Sequence, residues 1–213
     1  VFLNWIFPGH PMEYGSAGIT GTIPWDSGMA TEKKSLQKRN SDKVKYMGNT
    51  PPMTLEDFFL LLKDYPDAYV LIDSKQYSLR NYQRTLEDYS DYVEIARNAG
   101  AGETLDRIIP EIYNEAMFPG TAMLYSFPSY VYSLWQEYSV EELEYIASFC
   151  KEKGIPAATV YWEYWSEETE KIFEKNGISL YVYTVNDRDQ ARRYISQGAE
   201  GICTDFLTAE DLW

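Results

Sequence analysis

Tyr69-Val70-Leu71-Ile72-Asp73-Ser74-Lys75 is an apolar, β-branched run that ends in two charges. Such a run reads as a buried parallel strand with an acid and a base at its C-terminal end, and alternation along the strand puts Asp73 and Lys75 on one face. A carboxylate beside an ammonium suits a metal-assisted phosphate site, the first holding a hard cation and the second an anionic oxygen. The same pair also suits a solvated rim ion pair, so the heptapeptide alone leaves both readings open.

Other candidates stand at the ends of similar runs. Arg107-Ile-Ile-Pro-Glu-Ile-Tyr113 predicts a strand with Ile109, Glu111 and Tyr113 on one face. Strands are also expected over Tyr130–Gln136, Ala158–Trp162, Leu180–Val185 and Gly201–Thr204, with helices between them over Val140–Lys153, Ser166–Asn176 and Asp187–Gln197. Thr54-Leu-Glu-Asp57 opens a helix as a capping box, with Leu55, Phe58, Phe59 and Leu62 on its apolar face, and a second helix is expected from about Ser78 to Ala99. Strands alternating with helices of ten to fifteen residues indicate βα units around a parallel sheet. No Gly-rich GxGxxG turn follows any strand, whereas polar residues recur at strand C-termini: Asp73, Lys75, Glu111, Gln136, Asn186 and Asp205. A barrel that gathers these at one mouth fits better than an open sheet, although strand ends that meet water are polar for that reason alone.

Composition narrows the function. The 213-residue chain is 45% hydrophobic, 16% aromatic and carries a net charge of -14, which supports a packed globule and argues against a nucleic-acid partner. No apolar run reaches the roughly eighteen residues of a membrane span. Cys150 and Cys203 have no CxxC spacing and read as buried thiols. From Pro8 to Pro52 the chain is rich in Gly, Pro, Ser and Thr; a long insertion over about residues 6–53 is expected, and it holds the single histidine, His10, between Gly9 and Pro11. The sequence begins at Val1 rather than Met, inside what reads as a cut strand, so Val1 is expected to be an interior position of a longer protein. The compartment stays open.

Tyr181-Val-Tyr-Thr-Val-Asn-Asp187, a helix, and Gly201-Ile-Cys-Thr-Asp-Phe-Leu207 resemble the C-terminal signature of the glycerophosphodiester phosphodiesterases. Tyr65–Lys75, Arg107–Asn114 and Val131–Gln136 are similar to that family in the same order, so the resemblance spans most of residues 54–207. It implies a single domain over 1–213 with a TIM-type (β/α) barrel that hydrolyses glycerophosphodiesters to an alcohol and glycerol 3-phosphate with a divalent cation, Mg²⁺ or Ca²⁺. By that resemblance Asp73 replaces the family's usual Glu as a metal ligand and Lys75 binds phosphate, while Tyr183 lines the cleft against the glycerol. Glu111 and Trp135 are the further candidate substrate contacts.

The family's His-Arg and Glu-x-Asp strands have no counterpart here, and Val-Phe-Leu-Asn-Trp5 is similar to its third strand, with Asn4 or Leu3 in place of the histidine. Neither can relay a proton as imidazole does. An incomplete barrel is therefore expected, its first two strands missing and its edges closed by a preceding segment, a partner subunit or rearrangement. Two further readings follow: an inactive relative retained as a binding or assembly module, and an aromatic-lined carbohydrate barrel using Glu111 and Glu163, which would need carboxylates about 5–10 Å apart.

Overall fold

A computed structural model of the chain describes residues 2–6, 54–73, 82–205 and 207–212. Their secondary structure begins with β1 (Phe2–Ile6), α1 (Leu55–Lys63), β2 (Tyr69–Asp73), α2 (Tyr82–Asn98), a 3₁₀ turn (Gly102–Arg107) and β3 (Ile108–Ile112). It continues with α3 (Met117–Leu124), β4 (Val131–Leu134), α4 (Val140–Lys153), β5 (Ala157–Tyr161), α5 (Glu167–Lys175), β6 (Ser179–Tyr183), α6 (Arg188–Ser196), β7 (Gly201–Ile202) and α7 (Ala209–Leu212). The strands lie in chain order in one sheet, and β2 through β7 are parallel. Six parallel strands with helices between them make a curled half-barrel, the incomplete TIM-type architecture expected from the sequence.

Local signals account for most boundaries. Thr54 and Asp57 form the expected capping box, the Thr54 hydroxyl accepting from the Asp57 amide at 3.0 Å and the Asp57 carboxylate from the Thr54 amide at 3.3 Å. Ser139 and Glu142 do the same for α4, and Ser166 caps α5. Gly100, Gly154 and Gly177 follow α2, α4 and α5 with φ of 66°, 68° and 75°, a left-handed conformation that costs other residues energy.

Helix α1 buries Leu55, Phe58, Phe59 and Leu62, as its periodicity predicts. These join Val70 and Ile72 of β2, Tyr132 and Leu134 of β4, Ala158 and Val160 of β5, and Leu180 and Val182 of β6 in one core between sheet and helices. The alternate strand positions therefore face the other way, into the concave side. Gly201 is small for a specific reason: a Cβ there would lie 2.7 Å from the ring of Tyr181, its ladder partner.

One expectation about direction is corrected. A third barrel strand would run parallel to its successor, but β1 runs antiparallel to β2, with Phe2 opposite Asp73 and Asn4 opposite Leu71. An alternating apolar stretch encodes a face and not a direction, so the pattern at Val1–Trp5 could not distinguish the two. Helix α3 was also not expected. Of the expected insertion over about residues 6–53, residues 7–53 with His10 lie outside the described residues.

Candidate functional site

The ends of β2 and β3 are held from the helix side. Buried Tyr89 of α2 reaches the ends of β2 and β3, its hydroxyl donating to the Ile72 carbonyl at 3.1 Å, with the Glu111 carbonyl at 3.3 Å. It thus ties together the two strands that carry Asp73 and Glu111. Beneath, Arg107 donates to the carbonyls of Tyr65 and Ala68 and fixes the entry to β2.

On the concave side Glu111, Ser133 and Thr159 come from three successive strands and are all buried, at 5%, 2% and 4% exposure. The Thr159 hydroxyl donates to Glu111 Oε1 at 2.9 Å and lies 3.3 Å from the Ser133 hydroxyl. Ser133 and Thr159 are ladder partners, which is why the two hydroxyls meet. Burying a carboxylate is costly unless donors meet it, and the Thr159 hydroxyl is one such donor to Glu111. The thiol of Cys203 is pushed up to about 12 by burial and, secondarily, by the negative charge of Glu111. Both effects disfavour a nucleophilic thiolate at neutral pH.

Above this network the strand ends are aromatic. Tyr183 closes β6 beside Tyr161 of β5, ring centroids 5.9 Å apart, and Trp162 and Tyr164 lie 5.7 and 5.6 Å from the Tyr161 ring. Trp135 follows β4 on the face of Ser133 and is 37% exposed. A second network stands at the ends of β6 and β7: Asn186 donates to Asp205 Oδ2 at 2.8 Å, while its carbonyl oxygen accepts from Thr204 and from the Asp205 amide. A cleft of about 260 Å³ lies on the opposite side of the wall, between the starts of α4 and α5, lined by Leu134, Gln136, Val160, Glu163, Tyr164 and Trp165 among others.

The expected set therefore divides. Glu111 and Tyr183 lie along the concave side, with Trp135 at its edge. Gln136 and Glu163 instead line the outer cleft, because they follow helix-facing Leu134 and the turn after Tyr161. Asp73 is the last residue of β2, one position beyond Ile72, which pairs with Pro110; its ladder neighbour is thus Glu111. Lys75 lies outside the described residues. Thr159 and Ser133 were not singled out from the sequence, although a hydroxyl in the middle of Ala-Ala-Thr-Val-Tyr and of Val-Tyr-Ser-Leu is a signal of a polar inner layer.

These groups set what a divalent cation would find here. Among the described residues no three His, Cys, Asp or Glu side chains come close enough to hold a metal ion. Glu111 with two hydroxyls falls short of the six to eight oxygens that Ca²⁺ takes, or the octahedral shell of Mg²⁺. The described residues do not by themselves form the shell.

A family model for the glycerophosphoryl diester phosphodiesterases matches the carboxyl-terminal units from α3 to α7. Residues 122–209 carry that family's pattern. The family resemblance read from the sequence is thus shown over this portion. In three dimensions the chain is similar to a structure from Silicibacter pomeroyi described as a glycerophosphoryl diester phosphodiesterase, with a TM-score of 0.55 and 17% identity over 71% of this chain and 52% of that one. It is similar too to a glycerophosphodiester phosphodiesterase from Parabacteroides distasonis, with a TM-score of 0.50 and 18% identity over 71% of this chain and 59% of the other. The chain thus spans between half and two thirds of the length of these solved structures. None of the curated proteins matches it in sequence.

Proposed function

We propose that the chain is most of a single barrel domain, with an insertion over about residues 6–53, and that the complete barrel hydrolyses glycerophosphodiesters to an alcohol and glycerol 3-phosphate. The observation that supports this reading most is the coincidence of the family match over residues 122–209 with a concave side where Glu111 lies below the tyrosine pair Tyr161 and Tyr183. In this reading Tyr183 offers its ring to the glycerol, Trp135 widens the apolar wall, and Lys75 neutralises the phosphodiester. Glu111 accepts hydrogen bonds from a glycerol hydroxyl once Thr159 has oriented it. Asp73 is the chain's contribution to a divalent cation, whose remaining ligands lie beyond the described residues; no step is assigned to it.

The test is glycerol 3-phosphate release from a glycerophosphodiester by the longest expressible form of the protein, with Mg²⁺, Ca²⁺ or Mn²⁺ and with chelator. Release that needs the cation and falls at least about a hundredfold in Asp73→Asn and Lys75→Ala supports the reading, as expected for lost charge stabilisation. No release with any of the three cations overturns it.

A second reading is favoured by the sequence carrying one histidine, His10, in the insertion. A proton relay by imidazole would then be missing, and the barrel would serve as a binding or assembly module. Calorimetry with glycerol 3-phosphate and Ca²⁺ separates it: binding without turnover supports the module, and binding of neither leaves a structural role.

A further inference from the structure

The outer cleft takes no part in the site described above. Its floor is formed by Leu134 of β4 and Val160 of β5, two positions that face the helices, and its walls by the segments that lead into α4 and α5. Three aromatic side chains line it, Tyr138, Tyr164 and Trp165, together with three carboxylates, Glu137, Glu163 and Glu168. A volume of about 260 Å³ lies below the usual range for drug-sized ligands and suits a small head group.

The aromatic wall is braced before any ligand arrives. The Tyr164 amide donates to the Tyr161 carbonyl at 2.9 Å and the Trp162 amide to the Tyr183 carbonyl at 2.8 Å, while the Tyr194 hydroxyl donates to the Trp162 carbonyl at 3.1 Å. The Tyr164 ring packs on Tyr161 with centroids 5.6 Å apart, and the Trp165 ring stands edge-on to Tyr194 at 5.1 Å. Rings held in this way lose little freedom on binding.

Charge selects the ligand. Among the described residues no side chain lining the cleft is basic, and no Lys or Arg occurs between Ile108 and Cys150 or between Gly154 and Glu170. Lys171 pairs with Glu167 at 3.8 Å, and Lys151 and Lys153 stand at the far end of α4. Glu137, Glu163 and Glu168 make no ion pair among the described residues. The two helix starts would otherwise draw an anion, but Ser139 with Glu142 caps α4, Ser166 caps α5, and Glu141 and Glu167 add negative charge in the first turns. An anion is therefore repelled. A metal ion fits no better, because no three acidic groups of the described residues come close enough to hold one. Carboxylates spread around a cavity and interleaved with aromatic rings match a cation that is itself broad and partly apolar.

We infer that the outer cleft binds a small organic cation, an alkylated ammonium group whose charge faces Glu137, Glu163 and Glu168 and whose alkyl groups rest on the rings of Tyr138, Tyr164 and Trp165. The site lies on the other side of the wall from Glu111, so the inference holds whether or not the barrel cleaves a phosphodiester.

The probe is tetramethylammonium, followed by the line width of its methyl resonance as protein is added, with neopentyl alcohol as an uncharged molecule of similar size. Tetramethylammonium is expected to bind saturably and at least about tenfold more tightly than the alcohol, as attraction to rings and carboxylates together requires. Binding should weaken by roughly threefold or more between about 20 and about 300 mM NaCl, since charges in an open cleft are screened. Tyr164 is 37% exposed and Glu163 is exposed, so both can be replaced without disturbing the core. Tyr164→Leu and Glu163→Gln should each weaken binding by roughly three- to tenfold. Tyr183→Leu, on the concave side, should leave it unchanged. Equal binding of neopentyl alcohol overturns the inference, as does a loss in Tyr183→Leu with none in Tyr164→Leu. A loss in Glu163→Gln alone overturns it too, because charge without the rings is attraction to an acidic surface and not a site. The readout involves no turnover, so failure of the hydrolase reading and failure of this one are separate results.

Discussion

Strands β4 to β7 and the pair β1–β2 solve the same problem differently. In the first region each strand is followed by a helix that crosses over and returns, and every neighbour is parallel. In the second, β1 lies beside β2 head to tail although α1 stands between them in the chain. A crossover helix of the usual kind delivers a parallel strand. The antiparallel pair therefore does not repeat the βα unit, and it is the carboxyl-terminal units that the family pattern covers. The difference separates two levels of information: caps and glycines define each unit, whereas the direction of a neighbouring strand is decided by the whole connection.

If both regions nevertheless belong to one cooperative body, their cores should be equally costly to open. Phe173 of α5 and Phe59 of α1 are both fully buried in the same cluster. Phe173→Ala and Phe59→Ala are each expected to cost about 3–5 kcal/mol, read as a lower urea midpoint at unchanged slope. A large loss for Phe173 with a small one for Phe59 would break the comparison and make the amino-terminal part a separate unit.

Next in size is Gly201→Ala in β7. The added methyl meets the Tyr181 ring at 2.7–2.8 Å, and overpacking of this kind costs about 1–3 kcal/mol. Tyr181→Leu should recover most of that in the double variant, giving a coupling that a distant pair would not show. No coupling would mean that β7 yields as a loose edge, closer in character to β1 than to β6.

Glu170 sharpens the same contrast through pH. Burial raises its carboxyl to about 7, against an ordinary value of 4.5. The folded state then holds the proton more tightly than the unfolded chain. Stability from this group is complete below about pH 4.5, declines as pH rises through 7, and is lost above. Glu170→Gln should flatten that profile and raise stability at pH 8 by on the order of 1–2 kcal/mol, with little change at pH 4, the figure being reduced for partial solvent access. Urea melts at the two pH values read this, and an unchanged slope between them would show that the α5–α6 contact opens to water.

What was legible in the sequence follows these lines. Helices over Val140–Lys153 and Ser166–Asn176 were expected from the sequence and stand as α4 and α5, because the caps that bound them act between residues three or four apart. Helix α3 was hidden by Pro119 and Gly120, yet Pro119 sits in its first turn, where no intrahelical amide is needed. The Glu111–Thr159 bond joins residues 48 apart, and no local spacing encodes which strands stand side by side. Asp73 and Glu111 could be named from their strand ends and Tyr183 only through the family resemblance, whereas the hydroxyls that orient Glu111 required the sheet register.

The smallest effect tests the comparison most finely. Thr54 and Ser139 make the same capping box on α1 and α4, one outside the family match and one within it. Each loses one side-chain acceptor on conversion to Ala, at about 1 kcal/mol. In a single cooperative domain, Thr54→Ala and Ser139→Ala should lower global stability alike, and amide exchange in the core strands of both regions should accelerate by the same factor of roughly five. If Thr54→Ala speeds exchange in α1 and β2 alone, the helix opens without the rest. The antiparallel start would then be an appendage to the half-barrel and not one of its walls.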